Sequence, residues 1–274
     1  MTKSMVGRDT KLCMSLAARP GTFGSRFHNR LYELLGLDYI YKAFTTTDLP
    51  GAIHGIRALG IRGCAISMPF KEAVIALLDG LEASAAAIDS VNTIVNDGGR
   101  LTGYNTDYSA VRSLLERSGL PAATPFLLRG SGGMAKAVVA ALRDAGFTRG
   151  TIVARNQGAG QALADQYGFA WRAHVGEEGA PLLVNVTPLG MTGGDADALA
   201  FPCEMIAACT AIIEAVALPA ETPLLKAAAS AGKQRITGTE IAMLQALEQF
   251  VLYTGVTPTP EQVEIAAAFA RGES

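Results

Sequence analysis

No stretch of this 274-residue sequence approaches the roughly 18 consecutive apolar residues of a membrane-spanning helix. The N-terminal segment Met1–Arg19 holds only a short apolar run, Leu12–Ala18. It lacks the longer core and cleavage pattern of a secretory signal, so the expected location is cytoplasmic and membrane partners are excluded. Cysteine is scarce: Cys13, Cys64, Cys203 and Cys209, with no CxxC pair. His28, His54 and His174 stand at no metal-ligand spacing to them, so no metal is expected and the thiols read as buried and free. Charge is also scarce, at 18% of residues with a net of −2. That excludes the basic face of a nucleic-acid binder but leaves room for a local pocket for one phosphate. Trp171 is the single tryptophan, expected as a packed or edge aromatic. No solenoid-length repeat or low-complexity tract occurs.

What is present is apolar residue, 49% of the chain, over a length that suits two domains better than one. In the first third, Lys11–Leu16, Tyr39–Phe44 and Arg62–Ser67 read as strands, alternating with helices over Ser25–Leu35 and Leu49–Leu59, the latter capped by Asp48. Pro69 suggests the start of a helix Phe70–Leu78 with Lys71 in its first turn. Asp97-Gly98-Gly99 marks a hairpin between Val91–Asn96 and Arg100–Gly103. A helix from Asp107 to Ser118 precedes a βαβ series of strands at Phe126–Arg129, Thr151–Ala154, Pro181–Val186 and Ala211–Val216. Helices at Met134–Ala145 and Ala159–Tyr167 separate them. The pattern predicts α/β architecture with a doubly wound parallel sheet. A periodic helix follows Gly238, and Glu261–Ala270 forms a last one.

Two constellations carry chemistry. Gly130-Ser131-Gly132-Gly133-Met134-Ala135 follows a strand and opens a helix. The first glycine allows a tight turn, the second a close approach to a pyrophosphate, and Ala135 close helix packing. The phosphates would sit on the N–H groups of the helix start; the competing reading is an ordinary strand–helix turn. The next strand ends in Arg155-Asn156 with no acid to take ribose hydroxyls. A guanidinium there can pair with a 2′-phosphate, which predicts NADP rather than NAD; the competing reading is a solvated arginine. The second constellation is Ser67-Met68-Pro69-Phe70-Lys71 with Asn92-Thr93 and Asn105-Thr106-Asp107. A Lys–Asp pair beside a nicotinamide could move a hydroxyl proton as hydride leaves carbon. Taken alone, two charges so far apart in sequence read as surface residues.

Together the motifs are specific. Pro69–Lys71, Val91–Thr93, Asn105–Asp107, Gly130–Ala135, Asn185–Met191 and Met243–Gln245 stand in the order and spacing of the shikimate dehydrogenases, over roughly residues 16–255. The sequence resembles that family. The resemblance implies NADP-dependent reversible oxidation of a ring hydroxyl, with 3-dehydroshikimate reduced by NADPH in the biosynthetic direction. It implies Lys71 and Asp107 as the catalytic pair. Thr22, Ser67, Asn92, Gln245 and Asp107 would contact a small polyhydroxylated cyclic carboxylate. Gly130, Ser131, Gly132, Gly133, Met134, Ala135, Arg155, Asn185, Thr187, Met191 and Gly238 would contact NADP.

The sequence also departs from the family's pattern. Thr22-Phe23-Gly24 replaces Ser-x-Ser before His28-Asn29, Ala65-Ile66-Ser67 replaces Asn-Val-Thr, and Ala217 replaces a tyrosine. A carboxylate that loses one donor loses about 1.5–3 kcal/mol. This resembles the shikimate dehydrogenase-like subgroup, for which shikimate would be a poor substrate or a relative of it the true one. A quinate or aminoshikimate-type dehydrogenase on the same scaffold, and a non-catalytic NADP-binding regulator, are the rival readings. The expected organisation is a substrate domain of residues 1–106 and 240–274 and an NADP-binding Rossmann domain of 107–239, with the active site in the cleft between them, in a monomer or homodimer. His28 reads as a capping or packing residue near a helix start.

Overall fold

The structure, a computed structural model, describes residues 6–273. By its packing the chain divides into two units. One comprises the residues up to Thr106 and those from Met243 onward; the other is Asp107–Ala242.

The first unit is built from β1 (Lys11–Leu16), α1 (Phe23–Leu34), β2 (Tyr39–Phe44), α2 (Leu49–Ala58), β3 (Gly63–Ile66), β4 (Gly80–Leu81), α3 (Ala83–Ala86), β5 (Thr93–Asp97) and β6 (Arg100–Tyr104). Its six strands lie in the order β2-β1-β3-β5-β6-β4. β1 pairs in parallel with β2 and β3, whereas β5 runs antiparallel to both β3 and β6. The register sets Ala65 opposite Thr93 and Thr93 opposite Tyr104. The carboxyl ends of β1, β2, β3 and β6 and the start of β5 therefore share one edge of the sheet. The hairpin turns on Gly98 and Gly99, at φ 60° and 96°; a two-residue turn with both residues in that region favours glycine. Asp48 caps α2 by accepting from the Gly51 N–H at 2.9 Å. Apolar clusters cover both faces of the sheet. Cys13, Phe27, Leu31, Phe250 and Ala266 lie in one, and Met14, Leu16, Ile53, Ile56 and Cys64 in the other.

The second unit continues with α4 (Thr106–Ser118), β7 (Phe126–Arg129), α5 (Gly133–Asp144), β8 (Gly150–Val153), α6 (Gln157–Tyr167), β9 (Ala170–Arg172), β10 (Leu182–Asn185), α7 (Cys203–Ala208), β11 (Ala211–Glu214), α8 (Pro223–Ser230) and β12 (Gln234–Ile236). The chain ends in α9 (Gly238–Thr254), within which the unit boundary falls, and α10 (Pro260–Arg271). All six strands of this sheet are parallel, in the order β12-β11-β10-β7-β8-β9. The chain winds outward from β7 to β9, then returns to β10 and winds the other way. This is the doubly wound sheet expected from the sequence, with its switch point between β7 and β10.

Two expectations need correction. No α-helix spans Phe70–Leu78: the segment forms turns and a 3₁₀ helix, Ile75–Leu77. The Lys71 carbonyl, which an α-helix would give to the Ile75 N–H, accepts instead from the Val91 N–H at 2.8 Å, and Ile75 turns to the Glu72 carbonyl at 3.2 Å. Cys203 is exposed at the start of α7, while Cys13, Cys64 and Cys209 are buried free thiols. The short elements β4, α3, β9, α7 and β12 have two to six residues each, too few to display a period. Among the described residues no helix is long and apolar enough to cross a membrane.

Candidate functional site

In the first unit the shared strand edge gathers the residues expected to hold substrate. Thr22 is the N-cap of α1, yet its hydroxyl makes no capping bond. Ser67 follows β3 and is exposed, held by its N–H to the Leu16 carbonyl at 2.9 Å. Lys71 is half-buried in the turns after β3. Asn92, just before β5, is buried. Its Oδ1 accepts from the Thr106 N–H at 2.8 Å and from Thr93 Oγ1 at 2.8 Å, and its Nδ2 donates to Thr106 Oγ1 at 3.0 Å. Thr106 Oγ1 lies 3.4 Å from Oε1 of Gln245 on α9. These bonds bring Asn92, Thr106 and Gln245 into one network. The sequence reading missed Gln249, which is buried and donates from Nε2 to Thr93 Oγ1 at 2.9 Å. Its signal was a second glutamine one helical turn beyond Gln245, on the same face of a mostly apolar helix.

Behind this edge lies an aromatic cluster. His28 is wholly buried, stacked on Tyr41 with ring centroids 4.3 Å apart. Its Nδ1 lies 2.9 Å from the Gly24 carbonyl, and burial lowers its pKa to about 4. His28 is thus a packing residue. Gly24 faces the same cluster: a Cβ there would sit 3.6 Å from Tyr41 Oη, an ordinary contact.

In the second unit the nucleotide candidates stand at the carboxyl edge of the parallel sheet, where such sheets bind ligands. Gly130 follows β7 at φ 130°, and a Cβ there would come within 2.7 Å of Val186 Cγ2 across the switch point. Gly132 is the N-cap of α5 and offers no side-chain cap, so the turn of Ser131, Gly133, Met134 and Ala135 presents its helix start to a ligand. A Cβ on Gly132 would meet nothing within 4 Å, leaving open space at the helix start. These features fit a pyrophosphate. Arg155 is exposed just beyond β8, while Asn156 caps α6 through the Ala159 N–H at 3.0 Å. Arg129, which ends β7, was not singled out in the sequence. Its guanidinium donates to the Ala200 carbonyl. Burial, and then the charge of Arg155, lower its pKa. Two cations close enough to repel suit a doubly charged phosphate better than a neutral ribose.

Asn185 ends β10 and is fully buried. Its Oδ1 accepts from the Thr187 N–H at 3.1 Å and from Thr187 Oγ1 at 2.6 Å. Its Nδ2 donates to the Leu189 carbonyl at 3.2 Å and Glu214 Oε1 at 2.9 Å. All four hydrogen-bonding capacities of the side chain are filled, so the Asn185 amide shapes the loop of Thr187 and Met191. Met191 is 41% exposed, unusual for a large apolar side chain. Gly238 opens α9 where a Cβ would lie 2.2 Å from the Val216 carbonyl oxygen, so no other residue fits without a shift. Asp107 sits in the first turn of α4 and is 7% exposed; a carboxylate there suits the helix dipole. Trp171, on the edge strand β9, packs against Gly160 and donates to the Ala154 carbonyl at 3.3 Å.

Residues 22–94 match the model of the shikimate dehydrogenase substrate binding domain. A shikimate dehydrogenase-like protein of Haemophilus influenzae is 52% identical over 268 residues, covering 97% of this chain and 99% of its own. The chain belongs to the shikimate dehydrogenase family. Among solved structures, a shikimate 5-dehydrogenase-like protein superposes with a TM-score of 0.91 at 52% identity, over 97% of this chain and all of that one. The shikimate 5-dehydrogenase of Thermus thermophilus, in complex with NADP(H) and shikimate, gives 0.84 at 33% identity, over 94% and 99% of the two chains. Quinate dehydrogenase from Corynebacterium glutamicum, in complex with NAD, gives 0.85 at 27%, over 95% and 98%. The family membership accounts for both sheets, the mixed sheet of a substrate domain and the parallel sheet of an NADP-binding Rossmann domain.

Proposed function

We propose that this chain reversibly oxidises a ring hydroxyl of shikimate, or of a close cyclic hydroxy-acid analogue, with NADP as the hydride acceptor. The observation that carries the cofactor is the second unit's edge: a glycine turn at the switch point, an uncapped helix start, Arg129 at the end of β7 and Arg155 just beyond β8. Bound there, NADP supplies the carbon that takes the hydride. The first unit's network of Asn92, Thr106 and Gln245 offers donors and acceptors at fixed positions to a polyhydroxylated substrate. Thr22 and Ser67, both exposed at the same edge, are assigned to the substrate's carboxylate. Lys71 is the group that accepts the hydroxyl proton, and Asp107 is the carboxylate that works with it. Both roles come from the family resemblance.

The test is turnover of NADP with shikimate, quinate, aminoshikimate and other cyclic hydroxy acids. The dehydrogenase reading expects turnover of at least one of them, and Lys71→Ala should lower kcat by about 10²–10⁴-fold while NADP affinity holds. A kcat within a few-fold of the wild type would remove Lys71 from the chemistry. A protein that binds NADP but turns over nothing would be a regulator. The quinate-type reading is supported by the likeness to the Corynebacterium quinate dehydrogenase. A higher kcat/KM for quinate than for shikimate would select it.

A further inference from the structure

Glu214 is the last residue of β11 and is completely buried. The register sets it beside Asn185 on β10, and Asn185 beside Arg129 on β7. The final positions of three adjacent strands are therefore polar, in a row directly beneath the loops of the parallel edge. Glu214 Oε1 accepts from Asn185 Nδ2 at 2.9 Å and from the Val216 N–H at 3.0 Å. Oε2 pairs with Thr222 Oγ1 at 3.1 Å, and Thr222 in turn caps α8 through the Leu225 N–H at 3.2 Å. One carboxyl thus ties three chain segments: the loop after β10, the turn after β11 and the start of α8.

These segments bear on two of the tightest places at this edge. The Val216 carbonyl is the atom that a Cβ on Gly238 would strike, and Thr222 Cβ lies 3.2 Å from where a Cβ on Gly190 would be. A carboxyl is an unfavourable choice for such a place unless its bonds are needed. Burial makes the charged form costly and pushes the Glu214 pKa up to about 7. The bonds suit either form. The Thr222 hydroxyl can donate to a carboxylate or accept from a carboxylic acid, since it has one proton and two lone pairs.

Resting on the NADP reading above, we propose that Glu214 is a positioning residue for the nicotinamide half of the cofactor. With the 2′-phosphate at Arg155 beyond β8 and the pyrophosphate at the turn after β7, a dinucleotide laid across the switch point extends its other half over β10 to β12. The wall it meets there is the loop of Thr187 and Met191, the turn at Val216 and the start of α9 at Gly238. Glu214 holds that wall from behind and touches no reacting atom.

The experiment measures binding of NADP and of adenosine 2′,5′-bisphosphate, which carries only the adenine half, to the full-length protein by calorimetry. Glu214→Asp keeps the charge but withdraws the carboxyl by one methylene. It should weaken NADP by about tenfold or more, leave the bisphosphate within about twofold, and lower kcat by up to about a hundredfold, as a misplaced reacting group does. Glu214→Gln keeps the length: its Oε1 accepts from Asn185 and Val216, and its Nε2 donates to Thr222. It should restore NADP affinity and kcat to near the wild type. Equal losses for both ligands in Glu214→Asp would mean a general structural role and overturn the proposal. So would wild-type NADP binding and kcat in that variant. A wild-type protein that binds neither ligand would instead sink the cofactor reading, and this inference with it.

Discussion

Arg155 stands exposed beyond β8, and Arg129 ends the neighbouring strand near enough to feel its charge. Arg155→Ala should weaken NADP by about ten- to a hundredfold, the worth of a hydrogen bond to a charged group. NAD, which lacks the 2′-phosphate, should bind nearly as before, and titrating both cofactors checks this. Equal losses would remove Arg155 from the phosphate. Arg129→Ala should show the same selectivity to a smaller degree, because its guanidinium also serves the Ala200 carbonyl. Gly24→Ser makes a second residue-scale test. The new Cβ would lie 3.6 Å from Tyr41 Oη, an ordinary contact. If Gly24 limits the use of shikimate, restoring the hydroxyl should lower KM for shikimate by about tenfold; an unchanged KM would place the limitation elsewhere. Arg155 and Gly24 were legible as departures from a pattern. Arg129 was not, because a strand-terminal arginine has no signature until its neighbour is known.

At the scale of the element, the glycine turn separates two requirements that the motif merges. Gly130 has φ 130° and a Cβ there would press on Val186 at 2.7 Å. Gly130→Ala should therefore lower Tm by the equivalent of about 1–3 kcal/mol, the usual cost of a strained backbone position, besides weakening NADP. Gly132 has φ −85° and open space around it. Gly132→Ala should leave Tm unchanged and weaken NADP alone, because its methyl would stand where the phosphates approach. Thermal melts beside NADP titrations distinguish them, and a Tm loss in Gly132→Ala would contradict the open helix start. Strand–turn–helix was readable here because each local signal agreed with the others. Over Phe70–Leu78 it was not, since the hydrogen bond that removes the helix comes from Val91, far along the chain.

For the whole molecule, His28 and Glu214, two of the buried titratable groups, pull stability in opposite directions with pH. His28 has its pKa lowered from 6.5 to about 4. The unfolded chain binds that proton first, so stability present above pH about 6.5 is lost as pH falls toward about 4. Glu214 has its pKa raised from 4.5 to about 7. The stability it contributes is full below pH about 4.5 and is lost as pH rises through about 7. The groups lie in different units, and each is tested by its own variant. His28→Phe should flatten the acid side of the stability profile, and Glu214→Gln should flatten its neutral side. Melts between pH 4 and 8 read both, and a profile unchanged by either variant would remove that group from the linkage. The sequence by itself determined the doubly wound sheet, its longer strands and helices and the family, because these rest on periodicity, turn residues and motif order, which are local or linear. It marked Lys71, Asp107, Asn92, Gln245 and the glycine turn for the same reason. Only the tertiary structure decided that Asn185 is saturated and supports a loop, that Gln249 and Arg129 join the polar groups at the sheet edges, and that Glu214 is buried beneath three segments. A side chain's partners across a sheet depend on register, and residues remote in the chain become neighbours only when the strands pair.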